Sequence, residues 1–186
     1  MFKAIKGVDL YSLSNFPDYK LPEEKGKTFL ENASLKARHA AKKLKKWVIA
    51  DDSGLVVPSL SGKPGVITAR YAGAKATDKD NRRKLLTAME GLSELERAAY
   101  FECCLVLASP DGTIKKSVSG ICEGLILEQE RGNNGFGYDP LFIKHDSMKS
   151  FAELDESTKN RISHRSKAFE KILHTIESLV REVEQV

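Results

Sequence analysis

The tetrapeptide Asp51-Asp52-Ser53-Gly54 places two carboxylates side by side, directly behind the apolar run Trp47-Val48-Ile49-Ala50. Adjacent carboxylates at the mouth of an apolar strand are costly unless something positive meets them. One reading is a Mg²⁺ site, because Mg²⁺ takes one or two carboxylates and shares its other positions with water and phosphate. The other is an Asx-type turn in which Asp51 or Asp52 caps local backbone amides. Glu31 has the same two faces: it closes a capping box with Thr28, or it supplies a second carboxylate to a metal from the first turn of a helix.

Two further segments carry groups suited to a ligand. The loop Gly132-Asn133-Asn134-Gly135-Phe136-Gly137-Tyr138-Asp139-Pro140 is glycine-rich but matches neither a phosphate-binding P-loop nor a dinucleotide fingerprint. Against a plain flexible turn stand Phe136 and Tyr138, large apolar groups between glycines that let backbone approach a ligand; an aromatic face suits a planar base. Ser163-His164-Arg165 stands where a last helix starts, with Ser163 as its N-cap. A His-Arg pair there opposes the helix dipole, which favours a ligand-facing role for the two donors. His39, His145 and His174 read as solvated or core, and no Ser-His-Asp or Cys-His arrangement has supportive spacing.

These groups must be held by recognisable elements. Residues 1–27 read as irregular. Thr28-Phe29-Leu30-Glu31 opens a helix, with Leu30, Ala33, Ala37, Ala40/Ala41 and Leu44 at helical spacing. The strand at 47–50 runs straight into Asp51-Asp52-Ser53-Gly54, and Leu55-Val56-Val57 continues extended. A helix follows from about Asp78 to Glu90, with Thr77 and Asp80 at its start and Gly91 as its stop. Ala99–Ala108 reads as a central strand buried on both faces. Ser109-Pro110-Asp111-Gly112 turns it into a second strand near 113–119, with a third at about 121–128 and a further apolar stretch at Leu141-Phe142-Ile143. The last helix, from about Ser163, carries the stripe Ala168, Phe169, Ile172, Leu173, Ile176, Leu179, Val180 and Val183. Helices mixed with hairpin-connected strands mean an α/β domain with a mixed sheet.

Composition excludes several classes. At 186 residues, with 41% hydrophobic and 30% charged residues, the chain is one packed domain rather than a disordered segment. No apolar run approaches a membrane span, and Met1–Lys6 lacks a signal-peptide core. The net charge of +4 is scattered, and the basic run Lys42-Lys43-Leu44-Lys45-Lys46 reads as the solvated end of a helix rather than a nucleic-acid patch. Three cysteines form neither a metal spacing nor an even disulfide set, so a reduced, cytoplasmic protein is expected.

Taken in order, these segments resemble the inosine triphosphate pyrophosphatase family, enzymes that remove dITP, XTP and related non-standard purine nucleoside triphosphates. The matching stretches are Thr28-Phe29-Leu30-Glu31-Asn32-Ala33 with Lys36-Ala37, Ala50-Asp51-Asp52-Ser53-Gly54-Leu55, and Gly62-Lys63-Pro64-Gly65 with Ala69-Arg70-Tyr71-Ala72-Gly73. Gly135-Phe136-Gly137-Tyr138-Asp139-Pro140, Phe151-Ala152-Glu153-Leu154 and Lys159-Asn160-Arg161-Ile162-Ser163-His164-Arg165 complete the set. The resemblance implies a single elongated, two-lobed α/β domain over residues 1–186, built around a long mixed β-sheet with flanking helices, and a homodimer. It also implies hydrolysis of the α–β phosphoanhydride of ITP, dITP or XTP, giving a nucleoside monophosphate and pyrophosphate, with Mg²⁺ as cofactor, one per subunit. Carried over by motif, Glu31 and Asp52 become the metal carboxylates and Asp52 also the proton acceptor. Ser53, Phe136, Gly137, Tyr138, Asp139, Lys159, His164 and Arg165 become the substrate contacts. The family's opening strand and its Asn-and-Lys triphosphate loop find no match in residues 1–27. Two alternatives stand beside this reading: a Maf-type pyrophosphatase of other base specificity, and a catalytically impaired nucleotide-binding paralogue.

Overall fold

Helix α1 spans Phe29–Leu44, and its start is fixed by Thr28, whose hydroxyl accepts from Glu31 N–H at 3.1 Å. Its end is set by Lys45 in the left-handed conformation, φ 54°, with Lys42 and Lys43 exposed in the last turn, where the dipole favours cations. Phe29, Ala33, Ala37, Ala40 and Ala41 face inward, and Asn32 is buried with them. Leu30, expected on that face, is instead 45% exposed, because Phe29 takes the inward position one helical step away. The computed structural model describes residues 5–184, apart from the side chains of Val183 and Glu184. The sequence readings of residues 1–4 and of the Val183 side chain lie outside the described residues.

The fold is α/β, with a four-stranded antiparallel sheet in the order β1-β2-β3-β4. The strands are β1 (Val48–Val56), β2 (Ala98–Ala108), β3 (Ile114–Ile126) and β4 (Phe142–Lys144). Asp51, Asp52, Ser53 and Gly54 lie inside β1, so the Asx-type turn, one of the two readings of this segment, does not form: the ladder carries the strand through the acidic pair. The two strands expected at 113–119 and 121–128 are one, β3, since Gly120 continues the extended chain. The β2–β3 turn is closed by Ser109 N–H donating to Thr113 O at 2.9 Å and by Asp111, which accepts from the Ser109 hydroxyl and from Thr113 N–H. These bonds hold the Asp111 carboxyl well below the usual carboxylate range. At the other edge Gly124 faces Lys144, and a Cβ at Gly124 would lie 2.1 Å from the Ile143 carbonyl oxygen. Only glycine permits that approach.

The chain divides into two compact units, and β1, β2 and β3 each contribute residues to both. The first contains residues 1–52, 104–120 and 166–186. In it, the Lys42 stem lies against Gly112, and Lys171, on helix α4 (His164–Glu184), donates to Ser119 O at 2.6 Å. Ala168, Ile172 and Ile176 form the buried stripe of α4. The second unit contains residues 53–103 and 121–165. Its core gathers Leu55, Val57, Leu85, Met89, Phe101, Leu141, Phe142 and Phe151. Helix α2 (Asp78–Ala88) begins at a Thr77–Asp80 capping box, and Gly91 follows its end at φ 77°. A short helix absent from the sequence reading, α3 (Glu156–Ile162), is capped by Asp155 and delivers Lys159.

Arg97 holds the second unit together from inside. It is 7% exposed and donates to three carbonyls: Ile126 O at 2.7 Å, Met89 O at 3.0 Å and Leu127 O at 2.9 Å. Replacing it by methionine leaves three buried acceptors without donors, at about 1 kcal/mol or more each. Arg97→Met is therefore expected to lower the urea-unfolding free energy by about 3 kcal/mol. A loss under about 1 kcal/mol would show that the three carbonyls find other donors.

Candidate active site

In β1 successive side chains point to opposite faces, so Asp51 and Asp52 do not act as a pair. Asp51 is exposed, whereas the Asp52 side chain is 11% exposed and bonded through both oxygens. Oδ1 accepts from Lys36 Nζ at 2.9 Å and Oδ2 from Asn32 Nδ2 at 3.2 Å. The same ammonium lies 3.1 Å from Glu24 Oε1. Asn32 also accepts from Gly26 N–H at 2.8 Å, and a Cβ at Gly26 would sit 2.5 Å from its Oδ1, so the segment before α1 closes tightly over this group. Burial pushes the Asp52 carboxyl up, against the opposing hydrogen bonds from Lys36 and Asn32. Burial works against the Lys36 charge too, but its bonds to Asp52 and Glu24 prevail and hold the ammonium above its ordinary pKa.

Glu31, expected to stand beside Asp52, is exposed and accepts from Lys27 N–H at 2.6 Å, a backbone-capping bond of the helix start. Glu24 is the carboxylate that converges with Asp52, on one ammonium. Two carboxylates around one positive charge form a donor set that a divalent cation also suits. Among the described residues no group of three or more His, Cys, Asp or Glu ligands forms. An ion such as Mg²⁺, which needs only one or two carboxylates and completes its shell with water and phosphate oxygens, fits that set.

The second unit carries the other groups. The loop 131–140 is closed at its base by Arg131 N–H on Pro140 O, 2.8 Å. Within it Asp139 is 3% exposed, accepts from Phe136 N–H at 2.8 Å and forms an ion pair with Lys159. Gly135 has φ 77°, and a Cβ there would fall 2.0 Å from the Asp139 carboxylate. That carboxylate can reach the loop backbone only past a glycine. Phe136 is 61% exposed, with Lys159 Nζ 4.6 Å and the Arg165 guanidinium 5.6 Å from its ring centre, both within cation–π range. Tyr138 turns the other way: its ring is 3% exposed in the core and its hydroxyl donates to Thr68 O at 2.9 Å, with burial pushing the phenol up. Ser53 lies half-buried on β1. Asp139 and Tyr138 thus build the loop, while Phe136 is its exposed group, with the half-buried Lys159 and Arg165 against its ring.

His164 and Ser163 sit at the joint between α3 and α4, Ser163 as the C-cap of α3. The His164 ring stacks on Phe101 at 4.9 Å and 14°, within a cluster that includes Phe142 and Phe151. Burial first, then the Arg165 and Lys159 charges, push its pKa down to about 3, so the imidazole is neutral. Nε2 lies 3.3 Å from Arg165 Nη1. An arginine only donates, so Nε2 accepts and Nδ1 carries the proton. That Nδ1–H is buried and has no hydrogen-bond partner among the described residues. A buried donor without a partner is a polar group that the described residues leave unsatisfied.

Glu24, Asn32 and Lys36 were not anticipated. Asn32 and Lys36 lie one turn apart on α1, so two polar residues interrupt its small apolar face. That interruption is a readable signal. Glu24, in an irregular segment, gives none.

The family model of the Ham1 family matches residues 1–175. Among curated relatives, a dITP/XTP pyrophosphatase of Protochlamydia amoebophila is 59% identical over 180 residues, covering 96% of this chain and 90% of its own. A dITP/XTP pyrophosphatase of Chlamydia caviae is 51% identical over 179 residues, covering 96% and 86%. Among solved structures, the Ham1 protein of Staphylococcus aureus superposes with a TM-score of 0.82 at 42% identity, over 89% of this chain and 84% of that one. A HAM1 protein from Coxiella burnetii gives 0.82 at 41%, with the same coverage.

The neutral imidazole has a pH consequence. In the unfolded chain His164 titrates near 6.5, and in the folded one at about 3. Protons therefore favour the unfolded state below pH 6.5, and stability present above that value is lost as pH falls towards 3, by up to about 1.4 kcal/mol per pH unit. The stability difference between the native protein and His164→Gln, from urea unfolding, should shift by about 1 kcal/mol between pH 7 and 5.5 in the variant's favour. A difference independent of pH would mean that the ring is not held neutral.

Proposed function

The chain belongs to the Ham1 family, and on that premise we propose that it hydrolyses non-standard purine nucleoside triphosphates, dITP, ITP and XTP, to the monophosphate and pyrophosphate. Membership of this family sets aside the Maf-type alternative. The observation that carries the base preference is the buried, unpartnered Nδ1–H of His164, whose other ring nitrogen meets Arg165, itself over the exposed ring of Phe136. Hypoxanthine and xanthine present acceptors, O6 and N7, along one edge, where adenine places an amino donor at position 6. A purine stacked on Phe136 would offer those acceptors to the His164 Nδ1–H, which otherwise goes unsatisfied, and a base that leaves it unpaired is disfavoured. Lys159 adds a positive charge suited to phosphate.

The acidic group of the first unit supplies the base chemistry. Water attacks the α-phosphorus, its oxygen forms the new bond, and the bond to the bridging oxygen breaks as pyrophosphate leaves. Asp52 takes the proton of that water. Its carboxyl, pushed up by burial, is a stronger base than an exposed aspartate. Lys36 and Asn32 fix its orientation. We assign the partner carboxylate to Glu24 in place of Glu31, because Glu24 shares the Lys36 ammonium with Asp52. A Mg²⁺ ion bound by Asp52 and Glu24 would supply positive charge against the phosphate oxygens. The same proposal includes a homodimer and a cytoplasmic location; no helix among the described residues is long and apolar enough to cross a membrane.

Two outcomes are expected. Asp52→Asn keeps the shape and the Asn32 contact but cannot accept the proton, so dITP turnover should fall by at least ~10² while thermal unfolding stays close to native. Native turnover from a folded Asp52→Asn protein would remove Asp52 from the mechanism. Arg165→Ala should erode the preference for ITP over ATP, measured as the ratio of kcat/KM values, by about tenfold. Equal losses for both nucleotides would place Arg165 on the phosphates instead.

A further inference from the structure

The ring of Phe136 is held out into solvent by a loop between two glycines, and glycines do not hold a ring still on their own. Its backbone is nevertheless bonded on both sides. Before it, Phe136 N–H donates to Asp139. After it, Gly137 N–H donates to Asp78 Oδ2 at 2.7 Å, and Gly137 O accepts from Arg82 Nη1 at 2.9 Å. Asp78 and Arg82 stand four residues apart on α2, on one face of its first turns, so two side chains of a capped helix grip one residue of the loop. Arg82 is further anchored at the loop's entry, with Nε 3.0 Å from Glu130 Oε1 in an ion pair whose N–H points off the carboxylate. Gly137 has φ 59° and nothing within 4 Å of its Cβ position, so no packing does the work of this grip.

We propose that Asp78 and Arg82 are positioning residues for the base-contacting loop, fixing the Gly137 backbone so that the Phe136 ring is presented in place before the purine arrives. The proposal rests on the reading of Phe136 as the stacking face for the base. Neither side chain needs to touch the nucleotide; their effect is to lower the ordering cost of binding, which shows in KM rather than in the chemical step.

The test is a double-mutant cycle in the full-length protein, with dITP as substrate and inorganic tripolyphosphate, which has no base, as competing inhibitor. Arg82→Met should raise KM for dITP by about tenfold with kcat within about threefold, and leave the tripolyphosphate inhibition constant unchanged. Arg82→Lys, which restores a donor for Gly137 O, should recover most of the loss. In the Phe136→Ala background Arg82→Met should add less than about twofold, since nothing remains to be positioned. The same factor in both backgrounds, an unchanged KM in Arg82→Met, or an equal loss of tripolyphosphate affinity would each overturn the clamp while leaving a sensitive Phe136→Ala, and with it the base reading, in place. An unchanged KM in Phe136→Ala would instead bring down the stacking reading and the clamp with it. If Arg82→Met fails to fold, Asp78→Ala with Asp78→Asn as its conservative partner makes the same comparison from the other end of the grip.

Discussion

The second unit's functional loop depends on one buried ion pair. Asp139 is almost fully enclosed, and a buried charge is costly unless a partner of opposite sign meets it. Lys159 provides the match, and much else follows from it. The ammonium is drawn over the Phe136 ring, the carboxylate is left to accept the Phe136 amide, and position 135 is restricted to glycine. Removing either partner would leave an uncompensated charge in the interior, which costs about 3–5 kcal/mol. The pair therefore ties the stability of the unit to the geometry of its exposed aromatic face.

The first unit solves a related problem with the opposite balance. There one ammonium, Lys36, serves two carboxylates, Asp52 and Glu24, so the group as a whole keeps negative charge. Desolvation without full compensation makes Asp52 more basic than an exposed aspartate, whereas full pairing would make it an indifferent one. The arrangement suits the proton-accepting role proposed for Asp52. Asn32 keeps it from swinging by spending one amide hydrogen on Asp52 and its oxygen on Gly26.

His164 shows how packing sets chemistry. Stacked on Phe101 and flanked by two cations, it stays neutral down to the acid range. Its neighbour Arg165 then dictates the tautomer, and the proton ends on Nδ1, a donor at every pH above the acid range. A histidine of ordinary pKa in that place would alter its charge within the physiological range.

Much of the frame was legible in the residues. Thr28 and Thr77 announced their helices because capping is local, and the turn at 109–112 and the stripe of α4 follow from chemistry within a few residues. The acidic pair, the aromatic loop and the His-Arg pair stood out because charges beside apolar strands and rings between glycines are at odds with their local setting. What a local reading misjudged, tertiary contacts decided. Strand pairing carried β1 through Asp51 and Asp52 and β3 through Gly120, where isolated residues signal turns. That Glu24 shares an ammonium with Asp52 depends on where an irregular segment folds back, over a distance of 28 residues that no periodicity spans. The inward turn of Tyr138, the neutral state of His164 and the grip of α2 on Gly137 are likewise properties of packing, since each joins residues far apart in sequence through burial or a single hydrogen bond. Residue types specified which chemistry the chain possesses; desolvation and long-range contact, which exist only in the folded state, decided which atoms carry it.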